Sequence, residues 1–147
     1  MSKSEDLIKN LIALPHEYEW LDFKENWFSK DEIGEYISAI SNGAALCGRE
    51  FGYIVWGVND ASHEIIGTTV NFDKDVEHEP YKHYLARNLK PSVAFEVEDV
   101  LIDDKCLVLL SVAAAKSVPK KFLFQAFIRI CSSKEKLSMF PVWEIGL

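Results

Sequence analysis

Residues 51–60 read Phe-Gly-Tyr-Ile-Val-Trp-Gly-Val-Asn-Asp, and their reading decides the fold. Phe51 to Val58 is dense in β-branched and aromatic residues, the composition of a buried strand. Asn59-Asp60-Ala61-Ser62 has the chemistry of a turn. Glu64 to Gly67 is expected to return as a second strand, which makes the whole a hairpin.

Upstream, Ser29-Lys30-Asp31-Glu32 is a capping box. Ile33, Ile37, Ile40 and Ala44 then recur at offsets 0, 4, 7 and 11, one stripe of a helix, with Gly43 and Gly48 marking its far end. Between Tyr18 and Glu25, Leu21 and Phe23 alternate with Trp20, Asp22 and Lys24. That alternation predicts a strand with Asp22 and Lys24 on a polar face. Leu7, Ile8, Leu11 and Ile12 predict an opening helix that Pro15 ends. Downstream, Asn71–Glu79 reads as a polar loop, and Tyr81, Tyr84, Leu85 and Leu89 predict a helix stopped by Pro91. Val93–Leu101 and Lys105–Ala114 read as strands joined by a turn at Asp103-Asp104, the second more buried. Ala126–Cys131 reads as a last short strand. The order α, β, α, β-β, α, β-β, β points to an α+β fold, a mixed or antiparallel sheet of hairpins flanked by helices.

With 147 residues, 48% hydrophobic and 27% charged, the chain has the size and composition of one globular domain. The longest apolar run, Cys106–Leu110, is far short of the ~20 residues a membrane helix needs. The opening MSKSEDLIKN has no apolar signal core, so a cytoplasmic location is expected. Cys47, Cys106 and Cys131 show no metal spacing and read as reduced, buried thiols. The four histidines have no zinc spacing, and no phosphate-binding G-x-x-x-x-G-K-[ST] occurs, so no nucleotide-binding motif is seen.

The net charge of −7 speaks against a wholly basic nucleic-acid wrapper, but the charge is uneven. Residues 1–111 carry 10 Lys and Arg against 21 Asp and Glu; residues 112–147 carry 6 against 2. Lys116, Lys120, Lys121, Arg129, Lys134 and Lys136 thus form a local basic region, and screening beyond ~10 Å lets it act independently of the acidic remainder. Trp20, Trp27, Tyr53 and Trp56 offer faces on which bases could stack, although aromatics in strands usually belong to a core. The segmentation expected is an N-terminal helix (1–14), a domain (15–135) and the start of a C-terminal extension (136–147). Val142, Trp143 and Leu147 look like anchors of an unfinished element, so the chain is expected to be a piece of a longer protein.

Three stretches together carry a family resemblance. They are Glu17-x-x-x-x-Asp22-Phe23-Lys24, then Ser38-Ala39-Ile40-Ser41-Asn42-Gly43 leading to Gly52–Asp60 and Ile66-Gly67, and lastly Phe127-Ile128-Arg129-Ile130-Cys131-Ser132-Ser133. In order and spacing this resembles the Schlafen AlbA-like domain, also called the divergent AlbA DNA-binding domain, over about residues 15–135. The chain departs from the family pattern in three places: Asp22 stands for Glu, the Gly-rich turn is lengthened between Asn42 and Gly52, and Cys131 replaces a Gly.

The resemblance implies a nucleic-acid-binding domain, for RNA or DNA, of a regulator of bacterial type. Phosphates would be held at the basic edge by Lys116, Lys120, Lys121, Arg129, Ser132, Ser133 and Lys134. It also implies an alternative. Glu17, Asp22 and Asp60 match the carboxylates of the nuclease-active Schlafens, where three hard oxygen ligands suit Mg²⁺ or Mn²⁺ and Lys24 could hold the scissile phosphate. A third reading is a protein-interaction or regulatory domain. Because nuclease Schlafens join two such lobes, homodimerisation is expected; a membrane partner is not.

Overall fold

The computed structural model describes residues 3–14, 18–116, 119–123, 125–130 and 133–136, with backbone alone for 128–130 and 133–136. Along the chain run α1 (Lys3–Ile12), β1 (Leu21–Lys24), α2 (Lys30–Leu46), β2 (Phe51–Trp56), β3 (Asp75–Val76), β4 (Glu79–Pro80), α3 (Tyr81–Asn88), β5 (Leu89–Lys90), β6 (Phe95–Ile102), β7 (Lys105–Ala113), β8 (Lys121–Phe122), β9 (Gln125–Ile130) and β10 (Ser133–Lys136). The α+β class read from the sequence is the observed one.

The main sheet has the order β1-β2-β7-β6. Its alternating residues build two cores, one on each face. Leu21, Phe23, Val55, Leu107 and Leu109 pack toward Ile8 and Leu11 of α1. Ile54, Trp56, Val108, Leu110 and Val112 pack toward Ile33, Ile37 and Ile40 of α2 and toward α3. A second sheet, β10-β9-β8-β5, lies against the opposite side of α2. Being covered from both sides, α2 is buried almost all round from Ile33 to Ala44. Gly34 in this helix faces the Phe122 ring so closely that a Cβ would collide with it.

Local signals set the helix ends. Ser29 is the N-cap, its side chain accepting from the Glu32 amide at 3.4 Å, as the capping box predicts. The first part of the lengthened turn is helix: α2 runs through Gly43 to Leu46 and closes in a Schellman arrangement. There Gly48 adopts φ +71°, its N–H donates to Ala45 O, and Arg49 N–H donates to Ala44 O at 2.8 Å. Asp103 and Asp104, at φ 51° and 63°, make the tight turn that joins β6 to β7.

The expected hairpin from Phe51–Val58 to Glu64–Gly67 does not form. The returning segment makes a single bridge, Val58 to Ile65. Gly57 (φ +99°) and Gly67 (φ +85°) bend the chain away, with Ile66 and Gly67 both donating to the Gly57 carbonyl. The partners of β2 are instead β1, in parallel, and β7, antiparallel. Part of the polar loop Asn71–Glu79 enters a small hairpin, β3-β4. Cys47 and Cys106 are free thiols as expected, but they are exposed rather than buried, and Cys131 lies outside the described residues. No helix among the described residues is long and apolar enough to cross a membrane.

Candidate nucleic-acid interface

Asp22 and Lys24 are two residues apart on β1 and so share a face, as alternation requires. That face is not solvated. α2 lies over it, and Asp22 is only 2% exposed. The Lys24 ammonium sits 3.3 Å from Asp22 Oδ2 and donates to the Tyr36 hydroxyl at 3.2 Å. It also lies over the Tyr36 and Trp27 rings, at 4.2 and 4.9 Å from their centroids. Burial pulls the Lys24 pKa down, but the Asp22 charge and the Tyr36 hydroxyl outweigh it and hold the ammonium above its ordinary range. This Lys24 is engaged inside the protein rather than held out to a phosphate.

Asp60 is exposed in the turn beyond β2, where the Asn59 side chain organises the backbone by accepting from the Ala61 and Ser62 amides. Glu17, the remaining expected carboxylate, lies outside the described residues. Among the described residues no three His, Cys, Asp or Glu side chains gather as a metal group. Of the two described carboxylates, Asp22 is buried against an ammonium and Asp60 stands on an exposed turn.

The basic residues are placed by a different device. Along α2, Ser38, Ser41 and Asn42 are fully buried polar side chains at helical spacing. Asn42 Nδ2 donates to the carbonyls of Lys120 (3.0 Å) and Phe127 (2.9 Å), while its Oδ1 accepts from the Lys120 amide at 2.7 Å. Ser38 Oγ donates to the Lys120 carbonyl and accepts from the Phe127 amide. Ser41 Oγ donates to the Ala113 carbonyl at 2.7 Å, and Ala115 N–H returns to Ser41 O. Buried polar groups are thus satisfied by the segment that carries the lysines, which fixes its path.

Lys116 is exposed, and the half-buried Lys120 donates from its ammonium to Ser92 O at 3.0 Å. Partial burial and the Lys116 charge hold the Lys120 pKa below its ordinary range. Lys121 of β8 stands directly opposite Lys90 of β5, and both are exposed. In the same sheet, backbone register sets Arg129 of β9 opposite Lys134 of β10. Ser133 opens β10, and Ser132 lies outside the described residues. The structure therefore gathers Lys116, Lys120 and Lys121 and adds Lys90, which sequence reasoning missed. No motif marks Lys90; only strand pairing brings it there. The role of Ser38, Ser41 and Asn42 was also missed, although a polar row on an apolar helix signals it.

The aromatic candidates are mostly occupied. Trp56 is fully buried and donates from Nε1 to Trp27 O at 2.8 Å. Trp20 stacks with the Tyr18 ring, 5.2 Å away by centroids, and has the Arg49 guanidinium over its ring at 3.6 Å. Phe51, expected within a buried strand, is instead 45% exposed.

Residues 17–138 match the Schlafen, AlbA_2 family, and the chain belongs to it. Among curated proteins none matches. The chain is similar in structure to the DIP2311 protein of Corynebacterium diphtheriae, with TM-score 0.58 and 16% identity over 91% of this chain. It spans about a quarter of that protein's length, 27%. It is also similar to the N-terminal domain of an ATP-dependent DNA helicase RecG-related protein of Nitrosomonas europaea, with TM-score 0.52 and 22% identity over 92% of this chain and 93% of that one. These likenesses establish a shared fold.

Proposed function

We propose that this Schlafen AlbA_2 domain binds nucleic acid, RNA or DNA, through the phosphates, using the edge formed by Lys90, Lys116, Lys120 and Lys121. The observation that carries the reading is the strand register that sets the exposed Lys121 directly opposite the exposed Lys90, crowding like charge on an otherwise acidic protein. Such crowding costs free energy in the isolated protein, and an anionic partner relieves it. Counterion release adds affinity for a polyanion. Family membership and the helicase-related neighbour support the same direction.

Arg129, Ser132, Ser133 and Lys134 are proposed to extend the phosphate track along β9 and β10. A cytoplasmic regulator that pairs as a homodimer fits this reading, since two edges would hold twice as many phosphates. Light scattering at high micromolar concentration reads the pairing, and a clean monomer there counts against it.

The metal-dependent ribonuclease using Glu17, Asp22 and Asp60 is the lesser reading, because Asp22 already holds an ammonium. The deciding experiment is fluorescence anisotropy of labelled single-stranded RNA, structured RNA and duplex DNA at two salt concentrations. The same samples, with Mn²⁺ or Mg²⁺ added, go onto a gel. Binding that weakens steeply with salt is expected. Metal-dependent shortening of RNA that Asp22→Asn abolishes would move the assignment to the nuclease. Flat anisotropy with intact RNA would remove both and leave a protein-interaction module.

A further inference from the structure

We propose that the cleft between the end of α2 and the paired ends of β2 and β7 is a base-stacking subsite for single-stranded nucleic acid, with Phe51 as its platform. The inference rests on the nucleic-acid reading above and adds to it a strand preference. The cleft holds about 590 Å³, within the ~300–1,000 Å³ usual for sites that enclose a small organic group. Phe51 is 45% exposed, whereas Gly52 and Ile54–Trp56 of the same strand are buried. Its cross-strand partner is Ala113, whose methyl group is too small to shield the ring. Ala45 lines the cleft as well. An exposed aromatic ring beside methyl groups leaves room for another flat ring.

Charge complements that shape. Arg49 and Lys116 both line the cleft, and Lys116 continues into the basic edge through Lys120. Arg49 is held in place by stacking on Trp20, so its guanidinium need not be ordered when a ligand arrives. Glu50 is the acid of the lining, and a carboxylate there can accept from the exocyclic amino group of a base. Phosphates passing between Arg49 and Lys116 would place an adjoining base over Phe51. Only an unstacked base has a free face, so a duplex cannot use this subsite while a single strand can.

The test uses the full chain and two labelled probes, an oligonucleotide and the duplex formed with its complement. In Phe51→Ala the dissociation constant for the single strand is expected to rise roughly five- to hundredfold, the range for losing one stacked base. The duplex constant and the salt dependence are expected to stay unchanged, and Phe51→Trp to restore single-strand binding. A melting curve for each variant confirms that the half-exposed position leaves the fold intact. If Phe51→Ala binds the single strand as wild type does while Lys116→Ala weakens it, the stacking proposal fails and the basic edge stands. If the wild-type chain binds neither probe, both fail.

Discussion

Asn42 grips Lys120 by both sides of its backbone, accepting from its amide at 2.7 Å and donating to its carbonyl at 3.0 Å. The side chain thereby imitates a strand partner from within a helix, and it extends the same grip to Phe127 at 2.9 Å. A buried amide that makes three such bonds is a satisfied polar core group, and its length suits the gap between α2 and the second sheet.

Asn42→Ala is expected to destabilise the protein by roughly 2 to 4 kcal/mol, because backbone groups of Lys120 and Phe127 lose their partner in a buried place. Urea unfolding measures it. The same variant is expected to weaken nucleic-acid binding at temperatures where it remains folded, since the path of the lysine segment is no longer held. A variant as stable as wild type would show that the grip carries no load.

Lys24→Met removes the ammonium that lies 3.3 Å from buried Asp22. The expected loss is about 3 kcal/mol, the low end for breaking a buried pair, because the Lys24 side chain retains 19% exposure. Adding Asp22→Asn is expected to recover much of that loss. The sign of the pH effect follows from the raised Lys24 pKa. Its stabilising contribution is complete below the unfolded-state value of 10.5 and is lost as pH climbs through the higher folded value. Denaturation midpoints on either side of that range check it, and a contribution that vanishes on acidification toward neutral pH would contradict the assignment.

Lys116→Ala, Lys121→Ala and Lys90→Ala are each expected to weaken binding to every nucleic acid tested, with a melting temperature that holds or rises slightly as like-charge repulsion is relieved. For single strands the slope of log K against log salt should fall by about 0.7 for each phosphate that is no longer neutralised. Anisotropy titrations at several salt concentrations give both numbers. Lys90 is the informative one, since only its position opposite Lys121 recommends it.

Gly34→Ala is expected to cost about 1 to 3 kcal/mol through collision with the Phe122 ring. Replacing the ring with Phe122→Leu in the same chain should return part of it, a non-additivity that a double-mutant cycle of thermal unfolding reads directly. Equal costs in both backgrounds would mean that the two residues do not meet.

Much of the fold is legible in the sequence because its signals are local. The capping box at Ser29, the stripe through Ile33 and Ile40, the turn at Asp103-Asp104 and the helix from Tyr81 all depend on neighbours within a few residues. The hairpin expected after Phe51 fails because turn chemistry at Asn59 says that the chain bends, not where it goes next. Gly57 and Gly67 redirect it, and β1 and β7 take the places beside β2. Alternation alone puts Asp22 on a polar face. It separates two faces of a strand but cannot tell whether a helix will cover the second.

The sequence by itself determined the three helices and the strands β1, β2, β6, β7 and β9, the α+β class, the family and the concentration of basic residues after position 111. These follow from side-chain periodicity, capping and composition, which act over short stretches of chain. Tertiary structure alone decided that Asp22 is buried against Lys24, that Lys90 stands beside Lys121, and that Phe51 opens onto a cleft with Arg49 and Lys116. Each of these depends on which distant strands pair and which face a helix covers. That choice is made by the burial of the whole apolar surface at once, and no short window of sequence contains it.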